Sequence, residues 1–286
     1  MTSAVALAAC VSTAQAQLAH RYSFTTDAND SVGVANGTLV DGANAGFATV
    51  SGGQLQLGNA GFSGPSSSAN YLALPPSILP SSGSVTIEEW FTFTGSGFFT
   101  EGWAFSNNHN DTTGPGATNG QYLMFTISAP QPAGTTNNTG GSHVGQTLAG
   151  YSGGAETDAF ETTPGLGAGG GGYLDNGGTF MAATVIDATA GTLSYYLNGV
   201  LQQTITAIPL SSYSFSNVYL GRSAFAGDNA TSGSVDEFRI YDNAQSAANV
   251  AHDFALGPNV VPEPSSLALA AVGALGLLAR RRFSVS

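Results

Sequence analysis

The stretch Val85-Thr-Ile-Glu-Glu-Trp-Phe-Thr-Phe93 decides the fold class. Val85, Ile87, Phe91 and Phe93 take one face of an extended chain, and Thr86, Glu88 and Thr92 the other. This is the period-two alternation of a half-buried strand. Two residues break it: Glu89 falls on the apolar parity and Trp90 on the polar one. Either a bulge re-aims them or the outer face of this strand is covered.

Outward from it, strand-like segments separated by turn residues recur at 21–24, 38–40, 54–57, 71–74, 103–105, 122–128, 180–187, 193–197, 200–205, 218–221 and 235–241. Asn198-Gly199 between two of them supplies the paired positive φ angles of a type I′ hairpin turn. The 39 glycines, with abundant Ser, Thr and Asn, predict tight turns and long loops between short strands. Residues 130–178 have weak periodicity and read as one such long loop, of the kind that is functional or poorly ordered. One short helix is predicted at 246–254, with Ala247, Val250, Ala251 and Phe254 on one side. The pattern is that of an all-β sandwich with room for a large core.

Four landmarks occur in order: His20-Arg-Tyr-Ser-Phe24 with Asp30-Ser31, Ser84 through Phe91, the Tyr195-Tyr-Leu-Asn-Gly199 hairpin, and Gly233-Ser-Val-Asp-Glu-Phe-Arg-Ile-Tyr-Asp242. Together they resemble LamG-like (concanavalin A-like) jelly-roll domains, over residues 18–256. The resemblance implies a two-sheet antiparallel jelly-roll sandwich whose first and last strands lie together. Domains of this family serve in binding and adhesion and as carriers for glycosidases.

The ends of the chain read differently. Residues 1–16 combine an apolar segment with Ala14-Gln15-Ala16, a small-x-small site suited to cleavage before Gln17, and so resemble a secretory signal peptide. No Lys or Arg precedes the apolar segment, which suggests a true start further upstream. Leu7-Ala8-Ala9-Cys10 also resembles a lipoprotein-processing site that would lipidate Cys10. Under cleavage after Ala16 the single cysteine is lost, and disulfides and thiol chemistry go with it.

At the other end, residues 257–266 form a linker containing Pro262-Glu263-Pro264. Residues 267–279 are an uncharged run predicted to be a helix, and Arg280, Arg281 and Arg282 open a basic tail, 280–286. Thirteen residues at 1.5 Å each span about 20 Å against a hydrocarbon core of about 30 Å, so a membrane helix here is short. The arginines would stay on the cytoplasmic side. This order of elements resembles the PEP-CTERM protein-sorting signal of Gram-negative bacteria, which implies processing by an exosortase. The expectation is a chain exported to the cell surface or extracellular matrix and anchored by its C-terminus only transiently.

Six basic side chains face 18 acidic ones. All six are arginine, and without the tail residues Arg280, Arg281, Arg282 and Glu263 the remainder carries 3 basic against 17 acidic groups. A surface of that charge cannot neutralise phosphates, which excludes nucleic-acid binding. Its acidity instead suits cation binding and solubility outside the cell.

Two site hypotheses follow. Asp236 shares strand parity with apolar Phe238 and Ile240, and a core-facing carboxylate needs a compensating partner. A hard cation such as Ca2+ would provide one, and backbone N–H donors at the strand start are the alternative. In jelly rolls of the resembled family a structural calcium joins the first and last strands, which makes Asp30 the matching acid. Glu156-Thr-Asp-Ala-Phe-Glu161 has the Glu-x-Asp-x-x-Glu spacing of laminarinase-like glycoside hydrolases, which use a nucleophile and an acid/base about 5–5.5 Å apart. Its neighbours are small residues, and only two tryptophans are available for stacking sugars. His20, His109, His143 and His252 lack metal or triad spacing. The leading expectation is a non-catalytic, surface-associated module that binds extracellular polysaccharide or matrix, with a Glu156/Glu161 glycosidase as the alternative.

Overall fold

The computed structural model describes residues 17–42, 47–59, 68–81, 83–94, 100–107, 121–130, 142–150, 157–159, 178–207, 209–225 and 227–260. Among them are fifteen strands: β1 (Leu18–Tyr22), β2 (Thr38–Val40), β3 (Ala48–Ser51), β4 (Gln54–Leu57), β5 (Tyr71–Leu74), β6 (Val85–Phe93), β7 (Thr100–Asn107), β8 (Gln121–Pro130), β9 (Ser142–Gly150), β10 (Thr157–Ala159), β11 (Thr179–Asp187), β12 (Thr192–Leu197), β13 (Val200–Thr206), β14 (Asn217–Leu220) and β15 (Gly233–Tyr241). One α-helix, α1 (Ala247–Leu256), follows the last strand.

The strands form two antiparallel sheets. One has eight strands in the order β13-β12-β11-β6-β15-β4-β3, with β1 joining β15 off that path. The other has seven, β10-β9-β8-β7-β14-β5-β2. β15 serves two neighbours on one side: β4 pairs with Gly233–Val235, and β1 pairs with the later half from Phe238 to Tyr241. The first and last strands therefore lie together, as the resemblance implied. The space between the sheets is filled from both inner faces, with Phe91 of β6 and Phe125 of β8 meeting across it at 5.4 Å between ring centres. Each such fully buried large side chain contributes about 1.5–3 kcal/mol.

The Glu89/Trp90 anomaly resolves as a covered outer face. β6 pairs with β11 residue by residue from Val85 to Thr92 with no register shift, so the alternation is strict. Glu89 points into the sandwich and Trp90 points out, where α1 covers it in a cluster with Met181, Tyr196 and Val250. Ser246 starts that helix by accepting a hydrogen bond from the Asn249 N–H, and Gly257 ends it at φ 77°. The Asn198-Gly199 turn has φ 50° and 75°, as its sequence requires.

Two readings are corrected. The stretch 130–178, read as loop, carries β9 and β10, which extend the seven-stranded sheet through backbone pairing with β8. The core-facing parity of Asp236 fails because β15 bulges there. Val235 pairs with Phe91 and Glu237 with Trp90, leaving Asp236 as the extra residue. Residues 1–16, Glu156, Glu161 and 261–286, and with them the sorting motif and its apolar run, lie outside the described residues. Among the described residues no helix is long and apolar enough to cross a membrane.

Candidate binding face

The seven-stranded sheet presents the face of interest. In β14 Val218 and Leu220 enter the core, so Tyr219 points outward, opposite Ala73 of β5 and Ala104 of β7. Tyr71 shares that side, and its ring meets Tyr219 edge-on at 5.1 Å. The guanidinium of Arg222 stands 4.6 Å from the centre of the Tyr219 ring and 5.1 Å from that of Tyr71. All three residues are half-buried, with part of each open to solvent. The Arg222 cation is thus held against both aromatic rings on an outward sheet face.

Residues 221–225 and 227–232, between β14 and β15, fold back over the same face. Ala224 and Phe225 pack on Ala104, Tyr122 and Met124, with Phe225 edge-on to Tyr122 at 5.1 Å. Thr231 ties the segment down by donating to the Glu101 carbonyl at 2.6 Å.

Beneath that segment the pairing of β7 with β8 has two irregularities. Glu101 pairs with Thr126 and Trp103 with Phe125, so Gly102 is an extra residue, and the register also shifts between Thr100 and Glu101. The bulge sends Trp103 into the core and Glu101 to the outer face beside Thr126. Glycine is required at 102 because a Cβ would collide with the Glu89 carboxyl on the inner side. Glu101 hydrogen-bonds to Asp228, whose Oδ2 also accepts from the Ser223 hydroxyl at 2.6 Å. Burial and the neighbouring Asp228 hold Glu101 well above the usual carboxylate range, and burial raises Asp228 to about 6. Oε2 of Glu101 and the hydroxyls of Thr100 and Thr126 are buried without a hydrogen-bond partner.

The acids singled out from sequence lie elsewhere. Asp30, after β1, accepts backbone N–H bonds from Arg21, Val32, Gly33 and Ala35 at 2.9–3.2 Å, and its Oδ2 lies 2.6 Å from His20 Nδ1. Burial alone would raise its pKa, but these bonds bring it below the ordinary value. Asp236 accepts from the Gln54 side chain at 2.7 Å while its Oδ2 is buried without a partner, and burial raises its pKa. No bond or shared partner joins the two. Among the described residues no group of three or more His, Cys, Asp or Glu is arranged to hold a metal. Glu101, Asp228 and Arg222 were not singled out from sequence, although an isolated glycine inside a strand pattern, here Gly102, is a bulge signal.

A family model described as the concanavalin A-like lectin/glucanases superfamily matches residues 65–251, and a PEP-CTERM protein-sorting motif model matches 260–282. No curated protein sequence matches the chain. Similar solved structures include domain 4 of AbnA, a GH43 extracellular arabinanase from Geobacillus stearothermophilus, in complex with arabinotriose. It is 19% identical with a TM-score of 0.55, over 83% of this chain and 98% of that one. The binding domain of botulinum neurotoxin serotype D/C is 14% identical with a TM-score of 0.54 over 84% of this chain, and that of Paraclostridial Mosquitocidal Protein 1 is 12% identical with a TM-score of 0.52 over 83%. Each of those matches spans about half of the toxin chain, 52% and 51%.

Proposed function

Since the chain belongs to the concanavalin A-like lectin/glucanase superfamily, we propose that it is an exported, non-catalytic surface module that binds extracellular polysaccharide, with its C-terminal motif processed by an exosortase-type enzyme. The observation that carries this reading is the Tyr71–Arg222–Tyr219 arrangement, half-exposed on the outer face of the seven-stranded sheet. Sugar rings present apolar C–H faces to aromatic rings and hydroxyls to a guanidinium, so the platform suits a glycan. The solved complex of the arabinanase domain with arabinotriose supports an oligosaccharide as the ligand class.

The test is a polysaccharide array probed with the purified chain and with Tyr219→Ala and Arg222→Ala. Loss of binding by tenfold or more in both variants, with unchanged circular dichroism, is expected. Binding that survives both substitutions, or a wild-type chain that retains no polysaccharide, would overturn the assignment.

A further inference from the structure

We infer that Glu101, Asp228, Ser223 and Thr126 form a binding site for one hard divalent cation of calcium size, bracing residues 221–225 and 227–232 against β7 and β8. The donors are of one kind. Glu101, Asp228 and the Ser223 hydroxyl are hydrogen-bonded together on the outer side of the β7 bulge, and the Thr126 hydroxyl belongs to the residue paired with Glu101; these side chains offer only oxygen, the kind of donor that calcium prefers.

The second, independent observation is the state of the hydroxyls. Thr126 is fully buried and Thr100 is 1% exposed, yet neither Oγ1 has a hydrogen-bond partner, and Glu101 Oε2 is in the same condition. Thr126 stands directly across from Glu101 in the register, so its orphaned hydroxyl neighbours the carboxyl pair. A buried oxygen without a partner calls for a bound water or ion, and beside two carboxyl groups a cation offers the larger stabilisation. The partners of the pair are each other, the Ser223 hydroxyl and, for Glu101, its own backbone N–H. A cation would offset both carboxylates at once.

The proposed site differs from the Asp30/Asp236 bridge expected from sequence. The Asp30 oxygens are engaged by backbone N–H groups, and hydrogen donors occupy the lone pairs a metal would use.

The experiment compares melting temperature and calorimetric binding of the full chain after dialysis against chelator, with CaCl2 or MgCl2 then added back. One Ca2+ per chain and a rise in melting temperature of several degrees are expected, with a smaller response to Mg2+. Glu101→Gln and Asp228→Asn should each abolish the response. In chelator each should melt close to the wild-type temperature, because an amide keeps a hydrogen bond across the pair. Thr126→Val is the milder variant and should weaken Ca2+ binding about tenfold without unfolding the chain. Asp30→Asn and Asp236→Asn should leave calcium binding unchanged. An absent Ca2+ response in the wild type, a response that persists in Asp228→Asn, or one lost only in Asp236→Asn would overturn the inference.

Discussion

Arg21 in the first strand and Glu237 in the last are joined by two parallel bonds, Nε to Oε1 at 2.8 Å and Nη2 to Oε2 at 3.0 Å. The same carboxylate accepts from Arg239 Nε, and the fully buried Arg239 lies over the Trp90 ring at 4.4 Å and 3.9 Å from Glu88. Opposing charges removed from water are stable only as a set. Glu237→Ala would leave Arg239 buried with a weakened partner and is expected to cost about 3–5 kcal/mol. Chemical denaturation of Glu237→Ala and of the double variant Glu237→Leu/Arg239→Met checks this. The double variant should recover most of the loss, since an apolar replacement of a buried pair is often neutral.

Glu89 predicts a pH dependence of the opposite sense to that of a surface acid. Its carboxyl is fully buried in the sandwich with neither oxygen bonded, and burial pushes its pKa to about 8. A folded-state value raised above the unfolded one means that the stability present at low pH is lost as pH rises, here between about 4.5 and 8. By pH 7 the loss amounts to about 3 kcal/mol. Glu89→Met should therefore match the wild type near pH 5 and exceed it near pH 9, measured by denaturant midpoints at both values. Equal midpoints at pH 9 would contradict the assignment.

Asp30 works in the other direction. Its pKa is lowered by the His20 contact and the backbone bonds, which outweigh burial, so its contribution is present above the unfolded value of about 3.9 and is lost as pH falls below it. Asp30→Asn keeps the shape but removes the charge that four N–H groups converge on. The variant should be less stable at pH 7, by about 1–3 kcal/mol, and should lose less stability than the wild type on acidification from pH 5 to pH 2. Thermal melts across that range decide it.

The sandwich was legible because its strands alternate. Val85–Phe93 gave its own inner face, and even its two exceptions were informative, since Trp90 on the polar parity required the cover that α1 provides. What sequence could not show was anything fixed by pairing rather than by period. β9 contains Gly, Thr, His and Gln in no alternating order and is a strand because β8 supplies its partners. Asp236 lost its expected core-facing parity because it is itself the extra residue of the β15 bulge, and Glu101 lies on the outer face because Gly102 is an extra residue in β7. The candidate site depends on two such shifts between β7 and β8 and on the connection from β14 to β15, whose sequence has no periodicity at all. Its residues could be read as polar from sequence, but their convergence could not.

The last prediction concerns where the folded domain ends. The ion network of β15 reaches past α1: the Asn259 N–H donates to Glu237 Oε2 at 2.6 Å, and Arg239 Nη2 donates to the Val260 carbonyl at 2.9 Å. Two backbone groups after the helix are thus satisfied by buried charges, and hydrogen bonds to charged groups contribute about 1.5–3 kcal/mol each. The matched sorting motif begins at 260, so folded domain and motif meet with almost no spacer. A chain ended after Val261 should keep the full melting temperature, because every bond of the network survives. One ended after Gly257 loses both bonds, leaves Arg239 and Glu237 each short of a partner, and should melt several degrees lower. Intact-mass measurement of protein extracted from the cell surface should accordingly find a C-terminus at or beyond Val260. A processed product ending before Asn259, with an undiminished melting temperature, would show that the network does not set the domain boundary.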